Sequence, residues 1–135
     1  MKLQNKLALI TGGGRGIGRA IALEFAREGA SVAVAARTAA EVEQVAKELK
    51  DQFQSNALAV TCDVSDSTAV NEMFAKVTEH FGRGPDILVN NAGIAESAVL
   101  IKTDDELWQR HIAINLSGTF YCTRAAILEI GRAHV

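Results

Sequence analysis

The stretch Leu7-Ala8-Leu9-Ile10-Thr11-Gly12-Gly13-Gly14-Arg15-Gly16-Ile17-Gly18 decides the fold of this chain. Its four apolar residues predict a short buried strand, and a glycine-rich turn follows the strand at once. Ile17, Ile21 and Phe25 then recur at helical spacing. A strand, a glycine turn and a helix in direct succession form the context in which a glycine motif indicates a binding site.

The glycine turn suits a pyrophosphate. Glycines let the backbone turn sharply and approach a ligand closely. The helix that begins near Gly16 directs unsatisfied N–H groups and a positive dipole end at the same space. The motif is T-G-x-x-x-G-x-G from Thr11 to Gly18, so it is neither G-x-G-x-x-G nor a P-loop with Gly-Lys-Ser/Thr. The alternative is a tight strand-to-helix turn that binds nothing.

The composition of the 135 residues narrows the class of protein. A hydrophobic content of 48% and a charged content of 22% are ordinary for one globular domain. A net charge of −2 argues against a nucleic-acid partner. The N-terminal apolar run is too short for a signal peptide or a membrane span. Cys62 and Cys122 indicate neither a disulfide framework nor a metal site, and we interpret them as buried, reduced residues of a cytoplasmic protein.

Apolar strands alternate with amphipathic helices along the chain. We predict strands at 7–11, 31–36, 57–62 and 87–89, and helices at 16–28 and on the apolar positions of 42–53 and 70–81. Ser65 or Asp66 can cap the third helix, and the capping-box pattern from Thr103 to Glu106 predicts a fourth that runs to about residue 128. Because the strands lack polar alternation, both faces of a parallel α/β sheet are expected to be covered.

Four motifs, in order, resemble those of the classical short-chain dehydrogenases/reductases. They are the glycine motif at 11–18, Asp63 after the third strand, Asn-Asn-Ala-Gly at 90–93, and Asn115. The resemblance covers about residues 5–128, and within the family the 3-oxoacyl-carrier-protein reductases look most similar. It implies a doubly wound Rossmann fold of strand order 3-2-1-4, with NAD(H) or NADP(H) at the carboxyl ends of strands 1 and 4.

The resemblance implies a cofactor role for each motif. The glycine turn would cradle the pyrophosphate, Asp63 would accept a hydrogen bond from the adenine amino group, and the 90–93 turn would line the ribose. Alternatively, Asp63 caps the segment after it, and the Asn-rich turn is plain turn chemistry, which is the role we favour for Asn91. The predicted cofactor-binding residues are Thr11, Gly12, Gly14, Arg15, Gly16, Ile17, Gly18, Arg37, Asp63, Val64, Asn90, Ala92 and Gly93.

NADP(H) is predicted over NAD(H). A unit that binds NAD offers an acidic residue about 20 positions past the glycines. Here Ala36 stands 18 residues after Gly18, and Arg37 follows it. Arg37 can bind a 2′-phosphate through its forked guanidinium, and Arg15 adds a second positive charge. The competing interpretation is a pair of solvated surface arginines.

Asn115 lies in an otherwise apolar helical stretch, where a polar amide needs partners. The resemblance implies that it holds a water in the proton relay behind the active-site lysine. The alternative is a helix residue that bonds its own backbone. The catalytic Ser and Tyr-x-x-x-Lys of the family have no match here, since four residues after the only tyrosine, Tyr121, stands Ala125.

We therefore predict that residues 1–128 form a truncated NAD(P)-binding domain of an oxidoreductase. The parent protein would pass a hydride between nicotinamide and a carbonyl or alcohol substrate, without a metal, a nucleic acid or a membrane, and would be a homo-oligomer. The 135-residue chain itself is expected to be inactive and to fold poorly alone, because its fourth strand would be an apolar edge. The alternatives are a non-catalytic dinucleotide-binding module and an interaction protein.

Residues 129–135 are predicted to be a non-native tail. The helix pattern should continue through apolar positions here, and the glycine turn suggested by Gly131-Arg132 comes too soon. The codons GAG ATC GGA AGA GCA CAC GTC encode these residues, and the string resembles a sequencing-library adapter read in frame. The competing interpretation is a genuine, divergent C-terminus.

Overall fold

Strands and helices alternate along the chain, as the hydrophobic pattern predicts. The computed structural model describes residues 1–96 and 98–133. The regular elements are β1 (Leu7–Thr11), α1 (Gly16–Arg27), β2 (Ser31–Ala36), α2 (Ala39–Phe53), β3 (Ala57–Thr61), α3 (Ser67–Phe81), β4 (Ile87–Val89), α4 (Asp105–His111) and α5 (Gly118–Ala133). A 3₁₀ turn at Leu100–Lys102 precedes α4, and a π-helical segment at Ile112–Ser117 joins α4 to α5.

The four strands form one parallel sheet in the order β3-β2-β1-β4, which confirms the predicted doubly wound fold. In the register, Thr11 pairs with Ala35 of β2, and Ile10 pairs with Val89 of β4. Every residue of β1 is buried, whereas the three residues of β4, at the edge of the described sheet, are half-buried. The carboxyl ends of all four strands therefore point to one edge of the domain.

Each face of the sheet carries its own hydrophobic core, because successive strand residues point to opposite faces. On one face, Leu7 and Leu9 pack with Phe74 of α3 and Cys122 of α5. On the other face, Ile10 packs with the buried residues of α1 and α2, Leu49 among them.

Aspartates cap two of the helices. Asp66 accepts hydrogen bonds from the N–H groups of Thr68 and Ala69 at the start of α3, as predicted. At α4 the predicted capping box is wrong by one residue. The cap is Asp104, whose carboxylate accepts from the Leu107 N–H at 2.8 Å. The Thr103 hydroxyl donates instead to the Val99 carbonyl, which closes the preceding 3₁₀ turn.

The single fourth helix that the sequence predicts is divided into α4, the π-helical segment and α5. Helix α5 extends to Ala133, so the predicted boundary at residue 128 lies within its span. His134 and Val135, the end of the predicted tail, lie outside the described residues. The non-native origin of 129–135 stays a prediction.

Asp86 ties the start of β4 to the start of β1. Its carboxylate accepts from the Leu7 N–H at 2.8 Å and from Arg83 at 2.6 Å. Its own N–H donates to the Leu7 carbonyl at 2.8 Å. Partial burial opposes ionisation of Asp86, but the hydrogen bonds from Arg83 and Leu7 outweigh it and lower the pKa of the carboxyl.

The two cysteines are buried, as predicted, and both are free thiols. Burial, helped by the carboxylates of Asp63 and Asp66, raises the pKa of the Cys62 thiol to about 11. Burial raises the pKa of Cys122 to about 12. Within residues 1–96 and 98–133 there is no cluster of three or more His, Cys, Asp or Glu suited to a metal ion. Over the same residues, no helix has the length and apolar character to span a bilayer.

Candidate nucleotide-binding site

A cavity of about 400 Å³ opens where the four strands end. Ligands of parallel α/β sheets bind at this edge, and the volume falls within the roughly 300–1,000 Å³ of small-molecule sites. The predicted residues that line it are Gly12, Gly14, Arg15, Gly16, Ile17, Arg37, Asp63, Val64, Ala92 and Gly93. The fold thus brings together residues from four separate loops.

The N-terminus of α1 faces this cavity without a side-chain cap. Arg15 is the N-cap residue, and its side chain makes no capping hydrogen bond within the described part of the chain. The first turn of α1 carries no acidic residue, whereas Asp66 and Asp104 cap α3 and α4. Unsatisfied N–H groups and the positive dipole end are therefore available to an anion.

Gly16 leaves room above that helix end. Its φ of +57° lies in the left-handed region, which favours glycine. No heavy atom of the described residues, its own neighbours apart, lies within 4 Å of the position that a Cβ at Gly16 would take. An uncapped helix N-terminus beside open space fits a nucleotide pyrophosphate.

Gly18 has a packing role and does not line the cavity. A Cβ at Gly18 would lie 2.1 Å from the Gly12 carbonyl oxygen and 2.5 Å from Asn91 Nδ2. Helix α1 can therefore cross the end of β1 only if residue 18 lacks a side chain. Gly18 thus forms a packing contact between α1 and the glycine turn, and its contact with the cofactor stays a prediction.

Thr11 is likewise buried behind the cavity. Its hydroxyl accepts hydrogen bonds from the N–H groups of Asn91 at 3.1 Å and Ala92 at 3.0 Å, and it lies 3.4 Å from the Val89 carbonyl. Asn91 Nδ2 in turn donates to the Gly12 carbonyl at 3.1 Å. Thr11 and Asn91 thus join the turns after β1 and β4, and the cofactor contact of Thr11 stays a prediction.

Asn90, also predicted to line the cofactor, lies outside the cavity lining. Its Nδ2 donates to the Thr123 hydroxyl of α5 at 3.1 Å, and the residue is exposed. This contact ties the end of β4 to α5. Ala92 and Gly93, which follow in the same turn, line the cavity, and the contact of Asn90 with the cofactor stays a prediction.

Asn115 lies in the π-helical segment and bonds to the loop after β4, not to its own helix. Its Oδ1 accepts from the Ile94 N–H, and its Nδ2 donates to the Ile94 carbonyl, both at 2.9 Å. Gly93 comes close to the same side chain, since a Cβ there would lie 3.1 Å from Asn115 Oδ1. The amide partners that the sequence demands are found, and a part in a proton relay stays a prediction.

Asp63 combines a local role with a place in the cavity. Its Oδ1 accepts from the Ser65 N–H at 3.0 Å and the Ser65 hydroxyl at 2.7 Å. The cap of α3 is Asp66, so the alternative role of Asp63 as a helix cap is replaced by a turn before the helix. Val64 lies beside it in the lining.

The rim beyond β2 is charged. Arg37 and Thr38 follow β2, and Arg15 lies across from them on the glycine turn. Glu41, in the first turn of α2, places its carboxylate Oε2 4.0 Å from Arg15 Nε. The sequence analysis did not identify Glu41 as a residue of the rim. Its one signal in the sequence is that it lies four residues after Arg37, which is too weak to place its side chain beside Arg15.

The sequence of the chain is similar to the sequences of known proteins. Residues 6–134 match the profile of the family described as short chain dehydrogenase. The chain is 39% identical to a short chain dehydrogenase/reductase of Macrophomina phaseolina, over 93% of this chain and 71% of that protein. It is 37% identical to meso-2,3-butanediol dehydrogenase of Serratia marcescens, over 94% of this chain and 49% of that enzyme.

A solved structure shows the same fold. It is the alcohol dehydrogenase of the archaeon Thermococcus sibiricus, complexed with 5-hydroxy-NADP. The TM-score is 0.89 and the identity 35%, over 94% of this chain and 54% of that one. The chain thus spans about half the length of this structure and of the Serratia enzyme.

Proposed function

The chain belongs to the short-chain dehydrogenase family, and from that premise we propose that it forms the NADP(H)-binding part of an oxidoreductase. One observation carries the proposal: the uncapped N-terminus of α1, the open space at Gly16 and the arginines of the rim all face one cavity. An anionic dinucleotide matches the charge and the position of these groups.

Each part of the cavity would hold a part of the nucleotide. The N–H groups at the start of α1 would bind the pyrophosphate, and Arg37 with Arg15 would bind the 2′-phosphate. Asp63 and Val64 would receive the adenine, while Ala92 and Gly93 would border the ribose. When bound, the nicotinamide supplies the hydride chemistry, and the residues of this chain bind and orient it.

The preference for NADP(H) rests on the end of β2. Ala36 places no carboxylate there to accept from a ribose 2′-OH, and Arg37 follows with a forked cation. The Thermococcus structure, with its bound NADP derivative, is consistent with this choice in a related protein. NAD(H) remains the less favoured cofactor.

The substrate class is a carbonyl compound or its alcohol. Two related proteins are named a butanediol dehydrogenase and an alcohol dehydrogenase, which supports this class. The chain carries no Tyr-x-x-x-Lys, and its only tyrosine, Tyr121, lies on α5, with the Arg124 guanidinium 5.6 Å from its ring. We therefore expect the 135-residue chain to catalyse no turnover.

We further propose a cytoplasmic homo-oligomer as the parent protein. Helix α5 exposes large apolar side chains, with Phe120 56% and Ile127 62% exposed. Exposed apolar patches of this kind mark contact surfaces. Sedimentation of the complete open reading frame tests the assembly, and a monomer at micromolar concentration would contradict it.

Nucleotide titration tests the proposed cofactor. The chain is expressed within its complete open reading frame and titrated with NADPH and NADH, with nucleotide fluorescence as the signal. We expect tighter binding of NADPH and, in Arg37→Ala, a loss of roughly tenfold for NADPH alone, the size of a lost charge-assisted hydrogen bond. The matched control is Arg27→Ala, because Arg27 is exposed at the far end of α1.

Two outcomes would contradict the proposal. Tighter binding of NADH than NADPH by the wild type would show that the arginines do not select a phosphate. Binding of neither nucleotide by folded protein would favour an interaction protein. Nucleotide binding without turnover by the complete open reading frame, across a broad panel of carbonyl compounds, would favour the non-catalytic module.

A further inference from the structure

Glu41 brings a negative charge to the rim where the 2′-phosphate is proposed to bind. Its carboxylate lies over the glycine turn, since a Cβ at Gly14 would be 2.9 Å from Glu41 Cβ and 3.4 Å from its Oε2. The same oxygen lies 4.0 Å from Arg15 Nε, and Glu41 lines the cavity with Arg37. A carboxylate thus occupies the space around one of the two cations that the phosphate needs.

The ion pair between Arg15 and Glu41 is long, and its two side chains differ in solvent exposure. The Arg15 side chain is 86% exposed, so it can turn towards a ligand at little cost. The Glu41 side chain is only 36% exposed and belongs to the first turn of α2, so its charge stays beside the cavity when Arg15 moves. This carboxylate would repel a phosphate monoester, which carries nearly two negative charges. It would not repel an uncharged ribose 2′-OH at the same position.

We propose that Glu41 reduces the selectivity of the site for NADP(H) over NAD(H), because its carboxylate competes with the 2′-phosphate for Arg15. The inference rests on the proposed NADP(H) site and adds its specificity-determining residue. Glu41 lowers the affinity for the phosphorylated nucleotide and leaves the affinity for the unphosphorylated one nearly unchanged. The preference for NADP(H) is consequently smaller than two arginines alone would give.

A purely structural explanation of Glu41 makes a different prediction. An acidic residue in the first turn of α2 interacts favourably with the helix dipole, and the N-cap Thr38 makes no side-chain capping bond to any residue that the structure describes. If this were its whole role, Glu41→Gln would lower the stability of the domain and change both nucleotide affinities equally. The ratio of the two affinities therefore separates the roles.

The test compares Glu41→Gln with Glu43→Gln in the complete open reading frame. Glu43 is an exposed residue of the same helix, does not line the cavity, and serves as the matched control. We expect Glu41→Gln to lower the Kd of NADPH about three- to fivefold, the size of one partly exposed charge interaction. The Kd of NADH should change less than twofold, and Glu43→Gln should change neither.

Arg15→Ala completes a double-mutant cycle. If the competition is for Arg15, the gain in NADPH affinity from Glu41→Gln should fall to less than twofold in the Arg15→Ala background. An unchanged ratio in Glu41→Gln, while the wild type still prefers NADPH, would overturn this inference and leave the proposed function intact. Weaker NADH binding by Glu41→Gln would overturn it too, because Glu41 would then accept from the ribose. A wild type that prefers NADH would contradict the proposed function itself.

Discussion

The side-chain amide of Asn115 forms two hydrogen bonds of 2.9 Å with one residue, Ile94, accepting from its N–H and donating to its carbonyl. Ile94 belongs to the loop after β4 that lines the cavity, and Asn115 to the π-helical segment. One side chain therefore fixes the cavity wall to the helical region that follows. Single π-helical turns occur often at functional sites, and here the turn carries the Asn115 side chain that binds Ile94.

Asn115→Ala should loosen the wall of the cavity. The variant removes two solvent-exposed hydrogen bonds, and because water can replace Asn115 we expect a loss of only about 0.5–1 kcal/mol in the free energy of unfolding. Hydrogen exchange should accelerate at the Ile94 amide and its neighbours. Asn71→Ala, at an exposed position of α3, is the control. Exchange at Ile94 that stays at the wild-type rate would show that the hydrogen bonds from Asn115 do not order the loop.

Gly18→Ala should damage the domain more than Gly16→Ala. The added methyl at residue 18 would lie 2.1 Å from the Gly12 carbonyl oxygen, so α1 must shift, which costs about 1–3 kcal/mol or more. At residue 16 the methyl meets open space, and only the positive φ is penalised, by about 1–2 kcal/mol. Urea unfolding of both variants measures the difference. A Gly18→Ala protein as stable as Gly16→Ala would contradict the packing role.

The sequence predicted the sheet well, because its strands are short apolar runs between clear helix and turn signals. It assigned Thr11 and Gly18 to the cofactor because they belong to the glycine motif. In the structure the motif contains residues that line the cavity and residues that are packed into the turn, Thr11 and Gly18 among the latter. Spacing along one strand and helix cannot separate these groups, since Thr11 bonds to Asn91 and Ala92, 80 and 81 positions away, and Gly18 packs against both Gly12 and Asn91.

The contact of Glu41 with Arg15 and the contact of Asn115 with Ile94 could not be predicted from the sequence for a similar reason. The contact between Glu41 and Arg15 depends on how α2 packs beside the glycine turn. The contact of Asn115 depends on a π-helical turn, which has no sequence period of its own. The correction at Asp104 is smaller, because Thr103 and Asp104 are both good cap residues and the adjacent 3₁₀ turn decides between them.

Asp86 should make the domain sensitive to acid. The pKa of its carboxyl lies below the ordinary value of 3.8 in the folded state, so its contribution to stability is present above pH 3.8 and is lost as the pH falls through the folded pKa. Asp86→Asn should lower stability at pH 7 by about 0.5–1 kcal/mol, a figure reduced for solvent screening, and should flatten the dependence below pH 4. Glu79→Gln, at an exposed position of α3, is the control. Parallel curves for wild type and Asp86→Asn in urea unfolding between pH 3 and 7 would contradict this.

The buried thiols should make the domain sensitive to alkali. The folded pKa values, about 11 for Cys62 and about 12 for Cys122, exceed the ordinary value of 9.0. Their contribution is therefore full below pH 9.0 and is lost as the pH rises through the folded values, since the unfolded chain ionises first. We expect urea unfolding of Cys62→Ala/Cys122→Ala to show lower stability at pH 8 and a shallower decline between pH 9 and 10.5. Identical slopes for the variant and the wild type would contradict this assignment.

The bonds that join Thr11 to Asn91 and Ala92 span 80 and 81 positions of the chain. Contacts of such sequence separation are slow to form, because a long loop must close before they contribute. The cavity is therefore complete only after β4 has docked beside β1, whatever the order of the earlier events. A nucleotide that recognises the finished cavity binds after this docking step, so it should slow unfolding and leave the folding rate unchanged. A nucleotide bound in this way would lengthen the lifetime of the native state without helping the chain to reach it.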